Sequence, residues 1–127
     1  MRLLPDTHIL YRWFYDPEKL SSVAVTTIED AEEVFFSSAS FWEIAIQTGP
    51  GKIKADPPQI LHWAEKSDFI ELPVFAKHTL TVATLPPHRS DPFDRLLISQ
   101  AMSEPLHLLT ADAQLKPYSE LVVLVRA

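Results

Sequence analysis

Short apolar runs alternate along this chain with longer stretches of helical spacing, each punctuated by proline, glycine or acids. Arg2–Pro5 predicts a first strand, and Thr7–Tyr15 a helix stopped near Asp16-Pro17. Ser21–Ala31 predicts a second helix, opened by serine and closing in acids. Glu33–Phe36 predicts a second strand, leading into a helix from about Ala39 to Thr48 that Gly49-Pro50-Gly51 breaks. Pro57 and Pro58 open a helix through Lys66, Phe69–Leu72 forms a third strand, and Phe75–Leu85 is helical until Pro86-Pro87. Asp91–Ser103 predicts a helix, His107–Leu109 a strand, Asp112–Lys116 a short helix, and Leu121–Val125 the last strand. This alternation predicts an open α/β fold whose parallel sheet is covered on both faces. No repeat, low-complexity tract or linker interrupts it, so residues 1–127 are expected to form a single domain.

One residue breaks the apolar pattern. Between Val34 and Gly51 the only charged side chain is Glu43, set between Trp42 and Ile44. An ionised carboxylate in such surroundings is costly unless it turns to solvent or something inside requires its charge. Open α/β sheets hold their sites beyond the carboxyl ends of the strands, near the switch in strand order. Asp6, Glu43, Asp94 and Asp112 all fall there. Each aspartate also has a local use. Asp6 or Thr7 suits the cap of the first helix, and Thr110 or Asp112 the cap of the last. In DPFD, Asp91 suits the N-cap, Pro92 the first helical position and Asp94 the first turn. Glu43, mid-helix, caps nothing. Four independent caps explain the convergence of these acids poorly.

Charge and composition narrow the chemistry. The 46% apolar share suits a globular chain, the net charge of −6 excludes coating nucleic acid by bulk electrostatics, and no apolar run reaches a membrane span. An acid at the sixth residue comes too early for a signal peptide, which points to the cytoplasm. Without cysteine, any metal must be held by oxygen or imidazole. Convergent carboxylates suit a hard divalent cation, Mg²⁺ or Mn²⁺, able to activate water and shield a phosphodiester. Lys52, Arg89 and Arg95 are candidates for phosphate contact at the rim, or else solvated charges. Phe35, Phe36, Trp42 and Ile46 are read as core, and Trp13, Phe14, Trp63 and Phe69 as peripheral apolar groups, in part open to a partner. His8 is read as structural or exposed before catalytic.

The segments LLPDTHILYRW, SSASFWEIAIQTGPGKI, HRSDPFDRLLISQAM and LHLLTAD resemble the PIN-domain proteins, specifically the toxins of VapBC-type toxin–antitoxin pairs. The resemblance spans nearly the whole chain. It implies a three-layer α/β/α PIN domain with a parallel sheet of about five strands. It further implies metal ligands at Asp6, Glu43 and Asp94, with Asp112 as the fourth acid of a catalytic quartet. Thr7, Ser40 and Thr110 fall where the family has small hydroxyl residues beside the acids, with Asp91 as a further supporting candidate. The implied activity is a Mg²⁺- or Mn²⁺-dependent endoribonuclease acting on tRNA or ribosomal RNA, silenced by a VapB-type antitoxin, in a homodimeric toxin. Pro5 departs from the family's aliphatic residue. Two other readings stand beside this one: a PIN-like binding module without catalysis, and a receiver-like phosphotransfer domain, which would want a lysine where LHLLTAD supplies an acid.

Overall fold

The computed structural model describes residues 1–126. Five parallel strands, β1 (Arg2–Pro5), β2 (Glu33–Ser37), β3 (Ile70–Leu72), β4 (His107–Thr110) and β5 (Val122–Leu124), form one sheet in the order β3-β2-β1-β4-β5. The helices are α1 (Thr7–Tyr15), α2 (Ser22–Asp30), α3 (Ser38–Thr48), α4 (Pro57–Lys66), α5 (Ala76–Val82) and α6 (Pro92–Ser103). Two 3-10 segments, Pro17–Lys19 and Ala113–Tyr118, complete the elements. The strand order excludes the receiver-like reading, whose sheet runs 2-1-3-4-5.

Alternation of side chains along each strand divides the core into two layers. Leu4, Leu108 and Val122 face one way and pack with Leu97, Ile98 and Ala101 of α6 and with Leu115 and Tyr118. Leu3, Leu109 and Val125 face the other way and pack with Ile9 of α1 and with Ala24 and Ile28 of α2. Phe36 joins Leu10 and Ala64 in a third cluster, flanked by Phe14, Phe41 and Phe69. Helices therefore cover both faces. Pro5 is tolerated in the central strand because the ladder to β2 ends at Leu3↔Val34, before the missing N–H is needed.

Some expected features differ. The helix predicted to Leu85 ends at Val82, because the Ala83, Thr84 and Leu85 amides turn back to carbonyls three residues earlier. The Arg95 guanidinium then donates to the Val82 and Leu85 carbonyls. The short helix expected at Asp112–Lys116 is a 3-10 segment with Pro117 inside it. Trp42 and Ile46, expected in the core, are 62% and 47% exposed. α3 instead buries Ala39, Ser40, Glu43 and Ile44, which places Trp42 on the outer face, edge-on to Phe93. Trp13, Phe14, Trp63 and Phe69 are half-buried; Phe14 packs against both Trp63 and Phe69, and Trp13 flanks the α1–α2 cluster.

A buried polar link fixes α6 to the sheet. The Ser37 hydroxyl donates to Gln100 Oε1 at 2.6 Å and accepts from the Ala39 amide, while Gln100 Nε2 donates to the Pro73 carbonyl. Gln100→Met is expected to cost about 1–3 kcal/mol, because the buried Ser37 hydroxyl would be left without an acceptor for its proton. Urea unfolding would measure it; an unchanged midpoint would contradict the link.

Candidate active site

The chain runs outward from β1 to β2 and β3, then returns to place β4 on the other side of β1. The switch point therefore lies between β1 and β4, and the residues at their carboxyl ends are Asp6 and Thr110 to Asp112. Asp6 caps α1, its Oδ1 accepting from the Ile9 amide, while its Oδ2 accepts from the Thr110 hydroxyl at 2.6 Å. Thr110 Oγ1 in turn accepts from the Asp112 amide. Asp112 caps the 3-10 segment through Gln114. Each of these aspartates thus caps with one carboxylate oxygen and turns the other to a second partner, Thr110 for Asp6 and Arg89 for Asp112.

Glu43 reaches this point from α3. Thr7, beside Asp6, donates its hydroxyl to Ser40 Oγ at 3.0 Å and so ties α1 to α3 one turn before Glu43. Glu43 is 5% exposed, and its Oε1 is buried with no hydrogen-bond partner among the described residues. Its Oε2 accepts a long bond, 3.5 Å, from Gln47. Asp94 arrives on the first turn of α6, which Asp91 caps by accepting from the Phe93 and Asp94 amides.

The electrostatics follow from burial and like charge. Burial pushes the Asp6 carboxyl above its usual value, and Asp112 adds to the rise, against the Thr110 and Ile9 hydrogen bonds and His8. Glu43 is raised by burial first and then by Asp91 and Asp6, with Thr7 and His8 opposing. Asp94 is raised to about 6 by burial, Asp91 and Asp6, against its bond from Arg89. Three buried carboxyls, each within electrostatic reach of another acid, are thus disfavoured as anions.

Arg89 and Arg95 are both engaged within the protein. Arg89 Nε lies 3.2 Å from Asp94 Oδ2 and 3.4 Å from Asp112 Oδ2, spanning both acids. Arg95 donates to Val82, Leu85, Pro86 and Arg89 carbonyls and to the Tyr118 hydroxyl, and so braces the 82–89 segment. Lys52 is exposed and His8 is exposed at the edge of the site.

Among the described residues no group of three or more histidines, aspartates and glutamates converges closely enough to cage a metal ion. The donor chemistry nevertheless fits a hard cation. All donors are oxygens, Glu43 Oε1 is buried and unpartnered, and Mg²⁺ commonly takes only one or two carboxylates and keeps its remaining waters. The bridging role of Arg89 and the cleft described below were missed in the sequence. Arg89 could have been flagged by its position five residues before Asp94 in HRSDPFD.

The PIN domain family model matches residues 3–121. Ribonuclease VapC22 of Mycobacterium tuberculosis is 28% identical over 127 residues, covering 91% of both chains. Among solved structures, VapBC2 from Rickettsia felis bound to a DNA fragment from their promoter aligns with a TM-score of 0.66. Its sequence is 20% identical, over 99% of this chain and 98% of that one. FitAcB from Neisseria gonorrhoeae aligns with a TM-score of 0.67 at 14% identity, over 97% and 96%. At such identities the solved structures speak to the fold, which they share with this chain.

Proposed function

The chain belongs to the PIN-domain family, and from that premise we propose that it is a VapC-type ribonuclease toxin cleaving RNA phosphodiesters with a divalent cation. The observation that carries this reading is the set of three buried carboxyls at the switch point, with Glu43 Oε1 unpartnered. A fold retains such a cluster at a cost to its own stability, which function accounts for and packing does not. VapC22, named a ribonuclease, supplies the substrate class.

Asp6, Glu43 and Asp94 would hold the cation, Mg²⁺ or Mn²⁺, with Asp112 completing the acid set. When bound, it supplies activation of a water and neutralisation of the scissile phosphate's charge. The protein's own part is positioning. Thr110 fixes the Asp6 carboxylate from the β4 side, and Thr7 with Ser40 fixes the angle between the helices that carry Asp6 and Glu43. Asp91 anchors the start of α6 and hence Asp94. Arg89, already between Asp94 and Asp112, neutralises part of their charge and stands where a substrate phosphate would approach.

VapBC2, matched in fold, suggests a VapB-type antitoxin as partner. An arginine from it could bind these carboxylates bidentately and displace the cation. A homodimer is the simplest assembly for the toxin. No helix of the described residues is long and apolar enough to cross a membrane.

The test is cleavage of RNA by the purified chain. Mg²⁺ should support cleavage, EDTA should stop it, and Asp6→Asn should not recover it at any Mg²⁺ concentration. Equal cleavage by Asp6→Asn and wild type would sink the assignment.

A further inference from the structure

Beside the acids, reached through His8 and Gln47, lies a cleft of about 540 Å³ whose lining has the opposite charge. Arg12, Lys19, Lys52 and Lys54 line it, four of the chain's eleven lysines and arginines, against one acid, Asp16. In a chain of net charge −6 this is a marked segregation. A second cleft, of about 460 Å³ at the amino ends of β2 and β3, carries Glu29, Glu32, Glu33 and Asp68 and no lysine or arginine. Of these two clefts, the one beside the carboxylates is the one that suits a polyanion.

The basic cleft is constructed, not a chance gathering of surface lysines. Tyr11 and Tyr15, one turn apart on α1, stack with ring centroids 5.3 Å apart and planes 10° apart. The Tyr11 hydroxyl donates to the Lys54 carbonyl at 2.7 Å, and the Tyr15 hydroxyl accepts from the Asp56 amide at 2.8 Å. The Lys52 amide donates to the Gln47 carbonyl. The loop bearing Lys52 and Lys54 is thereby fixed against α1, which carries Arg12. Two lining residues connect it to the acids. Gln47 donates to Glu43, and His8 lies close enough to act electrostatically on Asp6 and Glu43.

We propose that this cleft is the track for the RNA backbone running away from the cleavage site, with Arg12, Lys52 and Lys54 contacting successive phosphates. The inference rests on the ribonuclease reading for the identity of its occupant. An acidic peptide is the competing occupant. RNA is favoured because two lining residues, His8 and Gln47, adjoin the carboxylates, which suit a cation and a phosphodiester and would repel a peptide's acids.

The test measures binding of a labelled single-stranded oligoribonucleotide by fluorescence anisotropy, in an Asp94→Asn background so that no cleavage intervenes. Lys52→Ala with Lys54→Ala is expected to weaken binding about fivefold per lysine at ~0.1 M salt and to flatten the log–log salt slope by about 0.7 per lysine. Lys66→Ala with Lys77→Ala, outside the cleft, should change neither. Tyr15→Phe keeps every charge but releases the Asp56 amide, and should also weaken binding several-fold. Equal losses from both lysine pairs, or no loss from Tyr15→Phe, would overturn the track. So would an unaltered RNA affinity alongside lost binding of a polyglutamate peptide. Because binding is read without cleavage, failure of the ribonuclease reading would leave this measurement standing and separately visible.

Discussion

Asp94→Asn is expected to abolish RNA cleavage, by roughly 10³-fold, while making the cation-free protein more stable. Asp94 is 7% exposed and its carboxyl is raised to about 6 from 3.8. At neutral pH a shift of that size corresponds to about 3 kcal/mol against the folded state. Asparagine removes this charge, loses the Arg89 pair, and should leave a net gain of roughly 1–2 kcal/mol. Loss of activity with gain of stability separates a functional carboxylate from a structural one. Thermal melts in EDTA beside cleavage assays would read both, and an inactive variant that is also destabilised would contradict the account. The same variant should no longer arrest growth, yet should still bind an antitoxin through surfaces outside the pocket.

The pH dependence of stability provides the second large effect. Asp6, Glu43 and Asp94 all have folded pKa values above their unfolded ones, so the folded state binds protons more readily. The cation-free protein should therefore lose stability as pH rises from about 4, the unfolded carboxyl range, through about 6, where Asp94 ionises in the fold. Glu104 acts in the opposite sense. His78 Nε2 lies 2.6 Å from its carboxylate and holds its pKa down, so that contribution is lost as pH falls. The optimum should consequently lie on the acid side of neutrality. Millimolar Mg²⁺ should restore stability at pH 7, by about 2.7 kcal/mol at a hundredfold excess over Kd, and have little effect near pH 4. A melting temperature at pH 7 indifferent to Mg²⁺ and Mn²⁺ would contradict the site.

Much of this was legible because the sequence encodes it locally. Breakers such as Gly49-Pro50-Gly51 and Asp91-Pro92 marked helix ends, and the positions of Asp6 and Asp112 after apolar runs placed them at strand termini. Glu43 stood out for its apolar neighbours. What the sequence hid was which face of α3 is buried: Trp42 looks like core by composition, but Ser40 and Glu43 take the inward positions, with Ser40 bonded to Thr7 of α1. The early end of α5 was equally hidden, since it depends on Arg95, ten residues beyond Leu85 in the chain. Arg89 across two acids and the tyrosine-braced cleft are likewise long-range arrangements. Periodicity carries no information about them. For Asp6 the cap is now plain, since one oxygen accepts from the Ile9 amide, while the other accepts from Thr110 across to β4.

The most direct test of the central claim, that these buried carboxyls exist to hold a divalent cation, is calorimetric titration of Mn²⁺ at pH 6 in two buffers of different ionisation enthalpy. Asp94 is about half-protonated there, so binding should be saturable and should release a proton, giving heats that differ between the buffers. Asp94→Asn should lose both the binding and the buffer dependence. An absence of saturable heat in the wild-type protein, or an unchanged isotherm in the variant, would contradict it.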